Sequence, residues 1–420
     1  MTEVRPFRAG KWLPSDHRIL EDWIRVLVAE ACAAERPLHP LVQEFQNLIE
    51  GDSDLYMRAN QMFSQVPRKS PYNRSPTGDP QVRDYRVMLK LISAIMTTAP
   101  PFNTTGLVGC PLNAILDWSM GTEGGATFFL NEKVNRQLRK ILNEWGRFLS
   151  SRDSLYVLTT DPAAGWFGEH AMKAMPDFED EFVCEPGKPH HGFTSWDDFF
   201  TRRFRSGRRP IASPNDAAVI INACESAPYR IARGVKARDR FWIKAQPYSL
   251  QHMLANDVLS GEFIGGTIYQ AYLSPLSYHR WHSPVAGRIV KAYLQPGTYF
   301  AEALEEGLDP AGPNESQAYI THLATRAIVF IEAVNPDIGL MCFLGVGMAE
   351  VSTCDISVYD GQYVAKGDEL GMFHFGGSTH CLMFRPSVHL SVDLHGQTPG
   401  LHAANIPINE RIATVTHGAR

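Results

Sequence analysis

Residues 326–346 read RAIVFIEAV-NPDI-GLMCFLGV, two apolar runs rich in β-branched and aromatic residues, parted by Asn335, Pro336, Asp337 and Gly339. Runs of this length bounded by turn residues are strands. The same grammar recurs on both sides, in AAVIINA (217–223), GTIYQAYL (266–273), GRIVKAYL (287–294), DISVY (355–359) and VHLSVDL (388–394). In the last, Val388, Leu390, Val392 and Leu394 alternate with His389, Ser391 and Asp393, the period of a half-buried strand. The C-terminal half is therefore expected to be a compact, mostly antiparallel β domain.

Upstream the period changes to three and four. Ser15 or Asp16 is placed to cap a helix carrying Ile19, Leu20, Trp23, Ile24, Leu27 and Val28. A second helix with Leu41, Val42, Phe45, Leu48 and Ile49 stops at Gly51. Val87, Leu91 and Ile95 mark a third, which must end before Pro100 and Pro101. A fourth stripe runs through Val134, Leu138, Ile141, Leu142, Trp145, Phe148 and Leu149. Between Ser151 and Gly192 the pattern dissolves into PDFEDEF and CEPGKPHHG, where we place a boundary. The fold class is thus α+β, with a helical N-terminal domain (1–185) followed by a mostly antiparallel β domain (190–420).

With 420 residues, 44% apolar, 20% charged and a net charge of −5, the chain is neither disordered nor a polybasic nucleic-acid binder. Seven cysteines without a two-residue gap favour a reducing, cytoplasmic compartment over a disulfide framework. The N-terminus lacks a secretory core and reads as mature and unprocessed. The longest nearly uncharged apolar run, Ile338–Ala349, is far short of the ~18 residues that span a bilayer, so no transmembrane segment is expected. Arg202, Arg203, Arg205, Arg208 and Arg209 form the one basic patch, read as a solvated or internally paired surface segment. His190 and His191, beside Pro and Gly, read as a loop rather than as metal ligands.

Three clusters carry chemistry. In Phe373-His374-Phe375-Gly376-Gly377-Ser378-Thr379, two glycines free the backbone ahead of a serine. A serine held there can turn its hydroxyl onto the preceding carbonyl, forming an ester whose elimination and hydrolysis leave a pyruvoyl group; the plain alternative is a hairpin turn. In Tyr278-His279-Arg280-Trp281-His282-Ser283-Pro284, bracketed by Pro275 and Pro284, an extended chain sends His279 and His282 to opposite sides, for two separate acid–base tasks. No nearby Cys or carboxylate completes a zinc set around them, so no metal is expected. Glu225, in the run Ile221–Ser226 at the end of an apolar strand, could orient a histidine; an ordinary strand-end glutamate is the plainer reading of the residue by itself.

In order and spacing these clusters resemble the phosphatidylserine decarboxylase family of pyruvoyl enzymes. FTSWDDFFTRRFRSGRRPI (193–211), FWIKAQPYSL (241–250), YHRWHSPVAG (278–287) and GQYVAKGDELGMFHFGGST (361–379) look like that family's successive motifs. The resemblance implies cleavage between Gly377 and Ser378, giving chains of 377 and 43 residues, with Ser378 becoming the pyruvoyl group and no need of pyridoxal phosphate. It makes His282 the activator of the serine and His279 the proton donor after carbon dioxide leaves, with Gly376 and Thr379 in support. Glu225 falls where the family has the aspartate of S-P-A-D; here N-A-C-E lengthens the arm, and Asp216 is the reserve. Trp281, Phe300 and Phe373 are candidate contacts for an aromatic substrate, core packing being the alternative for each.

LVQEFQNLIEGD (41–52), GRFLSSRDSLYVL (146–158), NACES (222–226) and GTYFAE (297–302) resemble a soluble fungal branch of L-tryptophan decarboxylases. That resemblance implies removal of the carboxylate of an aromatic L-amino acid, tryptophan first. Two alternatives stand: a phosphatidylserine decarboxylase making phosphatidylethanolamine at a membrane, and a non-catalytic module, since residues 283–300 and 360–373 also look like the hairpins of a biotinyl or lipoyl carrier.

Overall fold

The computed structural model describes residues 17–33, 37–66, 82–102, 110–162, 164–239, 248–274, 276–303, 316–350 and 353–416. Ser15, Asp16, Pro275 and most of FWIKAQPYSL lie outside them.

Among the described residues ten α-helices precede the first strand: α1 (His17–Ala33), α2 (Pro40–Gly51), α3 (Ser53–Gln65), α4 (Tyr85–Ile95), α5 (Pro111–Met120), α6 (Glu123–Phe129), α7 (Glu132–Leu149), α8 (Glu169–Ala174), α9 (Phe178–Glu181) and α10 (Trp196–Phe200). Side-chain caps start several of them. Asp52, Asp84 and Asn131 accept from first-turn amides of α3, α4 and α7, satisfying donors that the helix itself leaves open. The stripe of α7 buries Val134, Leu138, Ile141, Leu142, Trp145 and Leu149, as its spacing requires. α5 differs: all ten residues are buried, so it has no polar face.

The strands are β1 (Val219–Ile221), β2 (Ala227–Arg233), β3 (Thr267–Leu273), β4 (Arg280–His282), β5 (Gly287–Gln295), β6 (Arg326–Ala333), β7 (Leu340–Gly347), β8 (Cys354–Ile356), β9 (Tyr363–Val364), β10 (Glu369–Phe373), β11 (Ser378–Phe384), β12 (Leu390–Val392) and β13 (Arg411–Val415), with short helices α11 (Leu250–Met253) and α12 (Gln317–Leu323) between them. They build one seven-stranded sheet, β2-β3-β11-β7-β6-β5-β9, and two three-stranded sheets, β4-β10-β8 and β1-β13-β12. Every pairing between these strands is antiparallel. The α+β class and the antiparallel sheet expected from the sequence are thus present.

Both faces of the large sheet are covered. Ile268, Cys342, Leu344, Val346, Cys381 and Met383 face the helices and share one apolar cluster with α2–α7. Leu273, Phe343, Leu382 and Phe384 face the small sheets, with Trp281 and Phe373. Hence β3, β7 and β11 are buried throughout, and any polar side chain they carry is interior.

The stretch 152–204 is densely packed. Trp166, Phe167, Phe178, Phe193, Trp196 and Phe199 touch one another edge-on or tilted, and the ring of His191 stacks 3.8 Å from Phe167. Three of the five arginines are engaged internally. Arg202 is buried over the Phe182 ring at 4.5 Å, Arg205 donates to the Cys184 carbonyl at 2.8 Å, and Arg209 pairs with Glu181 and Glu225.

Candidate active site

The Gly-Gly-Ser segment joins β10 to β11 and is held at several points. Phe375 sits edge-on to Trp196 (4.6 Å), Trp145 (5.3 Å) and Phe200 (5.6 Å). His374 pairs through Nδ1 with Asp197 at 2.9 Å; burial opposes its charge, but Asp197 outweighs burial and raises its pKa. Gly376 takes φ +148°, a region that glycine enters freely. The Gly377 carbonyl accepts from the Met348 amide at 2.8 Å.

Ser378 opens β11, between Leu273 of β3 and Gly347 of β7. It is 1% exposed and its Oγ has no hydrogen-bonding partner. Buried hydroxyls are normally satisfied, so a free one calls for an explanation. Thr379, on the opposite face, is fully engaged: its Oγ1 donates to the Ala271 carbonyl at 2.9 Å and accepts from Gln270 at 3.1 Å, and Gln270 in turn accepts from Tyr248.

The two histidines meet different surroundings. His279 is fully buried, its ring stacked 3.8 Å from Phe200, with neither ring nitrogen hydrogen-bonded. The backbones of Phe200 and Ser274 face the ring, and burial, aided by Arg202, holds its pKa well below the ordinary value. Its carbonyl accepts from the Phe373 amide at 2.9 Å, tying it to the end of β10. His282 is half-buried; Nε2 lies 3.0 Å from the Tyr278 hydroxyl, Nδ1 is free, and burial pushes its pKa down to about 4. Among the described residues no hydrogen bond joins His282 to Ser378.

Glu225 accepts from Arg209 at 3.0 and 3.3 Å and from the Ile408 amide at 2.7 Å, with no direct bond to His282. Burial raises its pKa despite Arg209, and its charge is felt by Tyr278, the neighbour of His282. Asp216 is exposed; its side chain caps the turn at Ala218, and its carbonyl accepts from Lys366. Trp281 and Phe373 come together at 4.9 Å on the sheet face that carries Ser378, whereas Phe300 packs against Phe129 on the helical side. Among the described residues no group of three His, Cys, Asp or Glu side chains is arranged to hold a metal.

Three residues of this neighbourhood escaped the sequence reading. His380 shares the Ser378 face of β11, stacks on Phe343 at 5.9 Å, has both nitrogens free, and is pushed down to about 3 by burial. Strand alternation from Ser378 was the available signal. Cys110 immediately precedes α5, and the Gly377 backbone faces its thiol. Glu350, just past the apolar run ending at Ala349, is wholly buried and accepts from the Asn113 amide at 2.8 Å.

Comparison with known proteins fits this geometry. The chain belongs to the phosphatidylserine decarboxylase family, a family of carboxy-lyases: two family models of that description match residues 39–175 and 196–399. It is 37% identical to the L-tryptophan decarboxylase of Psilocybe cyanescens over 97% of this chain and 95% of that one. It is 44% identical to the decarboxylase iboD of Amanita muscaria over 66% of this chain and 84% of that one. Phosphatidylserine decarboxylase proenzyme 3 of Schizosaccharomyces pombe is 29% identical over 52% of this chain and 21% of its own. The chain is a decarboxylase, a carboxy-lyase, which sets aside the carrier-module reading. No helix among the described residues is long and apolar enough to cross a membrane.

Proposed function

We propose that the chain cuts itself between Gly377 and Ser378, converts Ser378 to a pyruvoyl group and decarboxylates an aromatic L-amino acid, tryptophan first, in the cytoplasm. The residues fit such a group. A buried, unpartnered hydroxyl stands at the end of a glycine pair, and the carbonyl it must attack already receives the Met348 amide. In the cut, Ser378 Oγ adds to the Gly377 carbon and the peptide nitrogen departs as the serine amine, leaving an ester; loss of the Ser378 α-proton then expels the Gly377 carboxylate, and water replaces the nitrogen of the resulting dehydroalanine, which leaves as ammonia. The Met348 amide bears on the oxygen where negative charge develops. His282 takes the hydroxyl proton through its free Nδ1, and Glu225 acts on it through Tyr278. The pyruvoyl group, once formed, supplies an electrophilic carbonyl and a sink for the electrons of the breaking carbon–carbon bond. His279 then returns a proton to carbon, in an aromatic setting of Phe200 and Phe375 that excludes water. We also carry the two-domain division, 1–185 and 190–420, as part of this reading, with the cut falling in the second.

The observation that carries the substrate is the reach of the likeness: the match to the L-tryptophan decarboxylase of Psilocybe cyanescens includes the helical region, whereas that to the Schizosaccharomyces pombe proenzyme covers about half the chain. Carbon dioxide release from L-tryptophan, L-tyrosine and phosphatidylserine vesicles, measured side by side, tests it. Release from tryptophan is expected, and release from vesicles alone would overturn the reading. In intact mass spectra Ser378→Ala should stay a single chain of 46.9 kDa, and a mutant that still splits would refute the cut at this position.

A further inference from the structure

Glu350 is a wholly buried acidic group beside Gly377 that the mechanism above does not use. It lies two residues beyond Met348, whose amide holds the Gly377 carbonyl, and beside Cys110, whose thiol the Gly377 backbone faces. One carboxyl oxygen, Oε1, accepts from the Asn113 amide at 2.8 Å at the start of α5. The other, Oε2, is buried without a partner. The residue is 0% exposed and takes φ +59°, a conformation that a glutamate adopts only when its surroundings impose it. No Lys, Arg or His pairs with it among the described residues. The α5 amides favour its charge, but burial prevails and pushes its pKa up to about 8. A carboxyl hidden without a cation is costly to keep unless a cation arrives from outside.

We propose that Glu350 receives the α-ammonium of the amino-acid substrate and takes up its proton. At rest the group is the neutral acid. As the ammonium docks on Oε2, the acid gives its proton to water and a carboxylate–ammonium pair forms. The carboxylate then accepts one ammonium proton. The N–H bond breaks, its electron pair stays on nitrogen as the lone pair that attack on a carbonyl requires, and Glu350 is again the acid. The α5 amides hold Oε1, so Oε2 is the free atom throughout. The inference rests on the reading of the chain as an amino-acid decarboxylase acting at position 378.

The test uses processed enzyme whose ketone has been reduced with borohydride, so that an amine binds without reacting. Tryptamine is titrated calorimetrically at pH 7 in two buffers of different ionisation enthalpy. Wild type is expected to release about one proton per tryptamine bound, since its acid starts neutral below about 8. Glu350→Gln, which matches the neutral acid in shape, should cut itself normally, release no proton and bind at least tenfold more weakly. Its kcat/KM should fall by about 10²- to 10⁴-fold. Equal proton release by both, no binding of tryptamine by wild type, or loss of self-cleavage in Glu350→Gln would each overturn the proposal. If that variant does not fold, Glu350→Asp should cut itself and lose at least tenfold in kcat/KM; wild-type kinetics there would overturn it. Wild-type turnover of vesicles alone, with proton release on tryptamine intact, would refute the substrate reading and leave the role of Glu350 standing.

Discussion

His279→Gln separates the two histidines. The ring is fully buried, stacked on Phe200 at 3.8 Å, and breaks no hydrogen bond when removed, since neither nitrogen has one. The structural cost is therefore the lost ring pair, about 0.5–1.5 kcal/mol, plus about 1–3 kcal/mol for burying an amide without partners. A cooperatively folded protein with several kcal/mol of stability survives that. Loss of a positioned proton donor costs about 10²- to 10⁴-fold in rate, or about 3–5 kcal/mol of barrier at 1.36 kcal/mol per tenfold. His279→Gln is thus expected to appear as two chains on a denaturing gel in wild-type ratio, while carbon dioxide release from carboxyl-labelled tryptophan drops by at least a hundredfold. Phe200→Leu, which keeps the imidazole and removes its stacking partner, should stay within tenfold of wild type. An uncut His279→Gln chain would place this histidine in processing, and a rate within threefold of wild type would remove it from catalysis.

Two further outcomes test the surroundings. Arg209 serves Glu181 at 2.8 and 3.1 Å and Glu225 at 3.0 and 3.3 Å, with its side chain 18% exposed. Arg209→Ala should cost about 3 kcal/mol, the low end for breaking a buried pair, and lower the thermal midpoint by roughly 5 °C. Adding Glu181→Gln and Glu225→Gln should restore at least half, and no recovery would show that the loss is not electrostatic. The raised pKa of Glu350 also predicts a pH signature. Below about 4.5 the acid is protonated folded or unfolded; between 4.5 and about 8 only the unfolded chain ionises, so wild type loses stability as pH rises. Glu350→Gln should gain thermal stability relative to wild type from pH 5 to pH 9, and a difference that does not change with pH would contradict the assigned environment.

How legible these features were follows from how each residue is buried. α7 and α4 announce themselves because one face is apolar and the other wet, so the period of 3.6 survives in the sequence. α5 has no wet face, and its PLNAILDWSM reads as nothing in particular although it holds Glu350. The strands were legible as apolar runs, but β11 is buried on both faces, which hides the alternation that sets His380 with Ser378. Between Ser151 and Gly192, where the boundary is placed, the turns are rich in Asp, Pro and Gly, and the rings of 152–204 pack by tertiary contact, which leaves no local period. Sequence motifs singled out Ser378, His279 and His282 as candidates, whereas the bond of Glu225 to Arg209, 16 residues away, is a pairing that no spacing rule foretells.

The helices and the sheet share the reactive segment. Trp145 of α7 and Trp196 and Phe200 of α10 grip Phe375, three residues before Ser378. Cys110 and Asn113, at the start of α5, meet Gly377 and Glu350. A seven-stranded sheet alone would leave Ile268, Leu344, Val346 and Met383 open to water on the face these helices cover. The same cover that buries this face of the sheet therefore also holds the segment proposed to be cut. Under the proposed mechanism, change in the helical region would act on position 378 through Phe375 and Glu350. This gives a physical reason for substrate choice to depend on a region that contributes no residue to the cut itself.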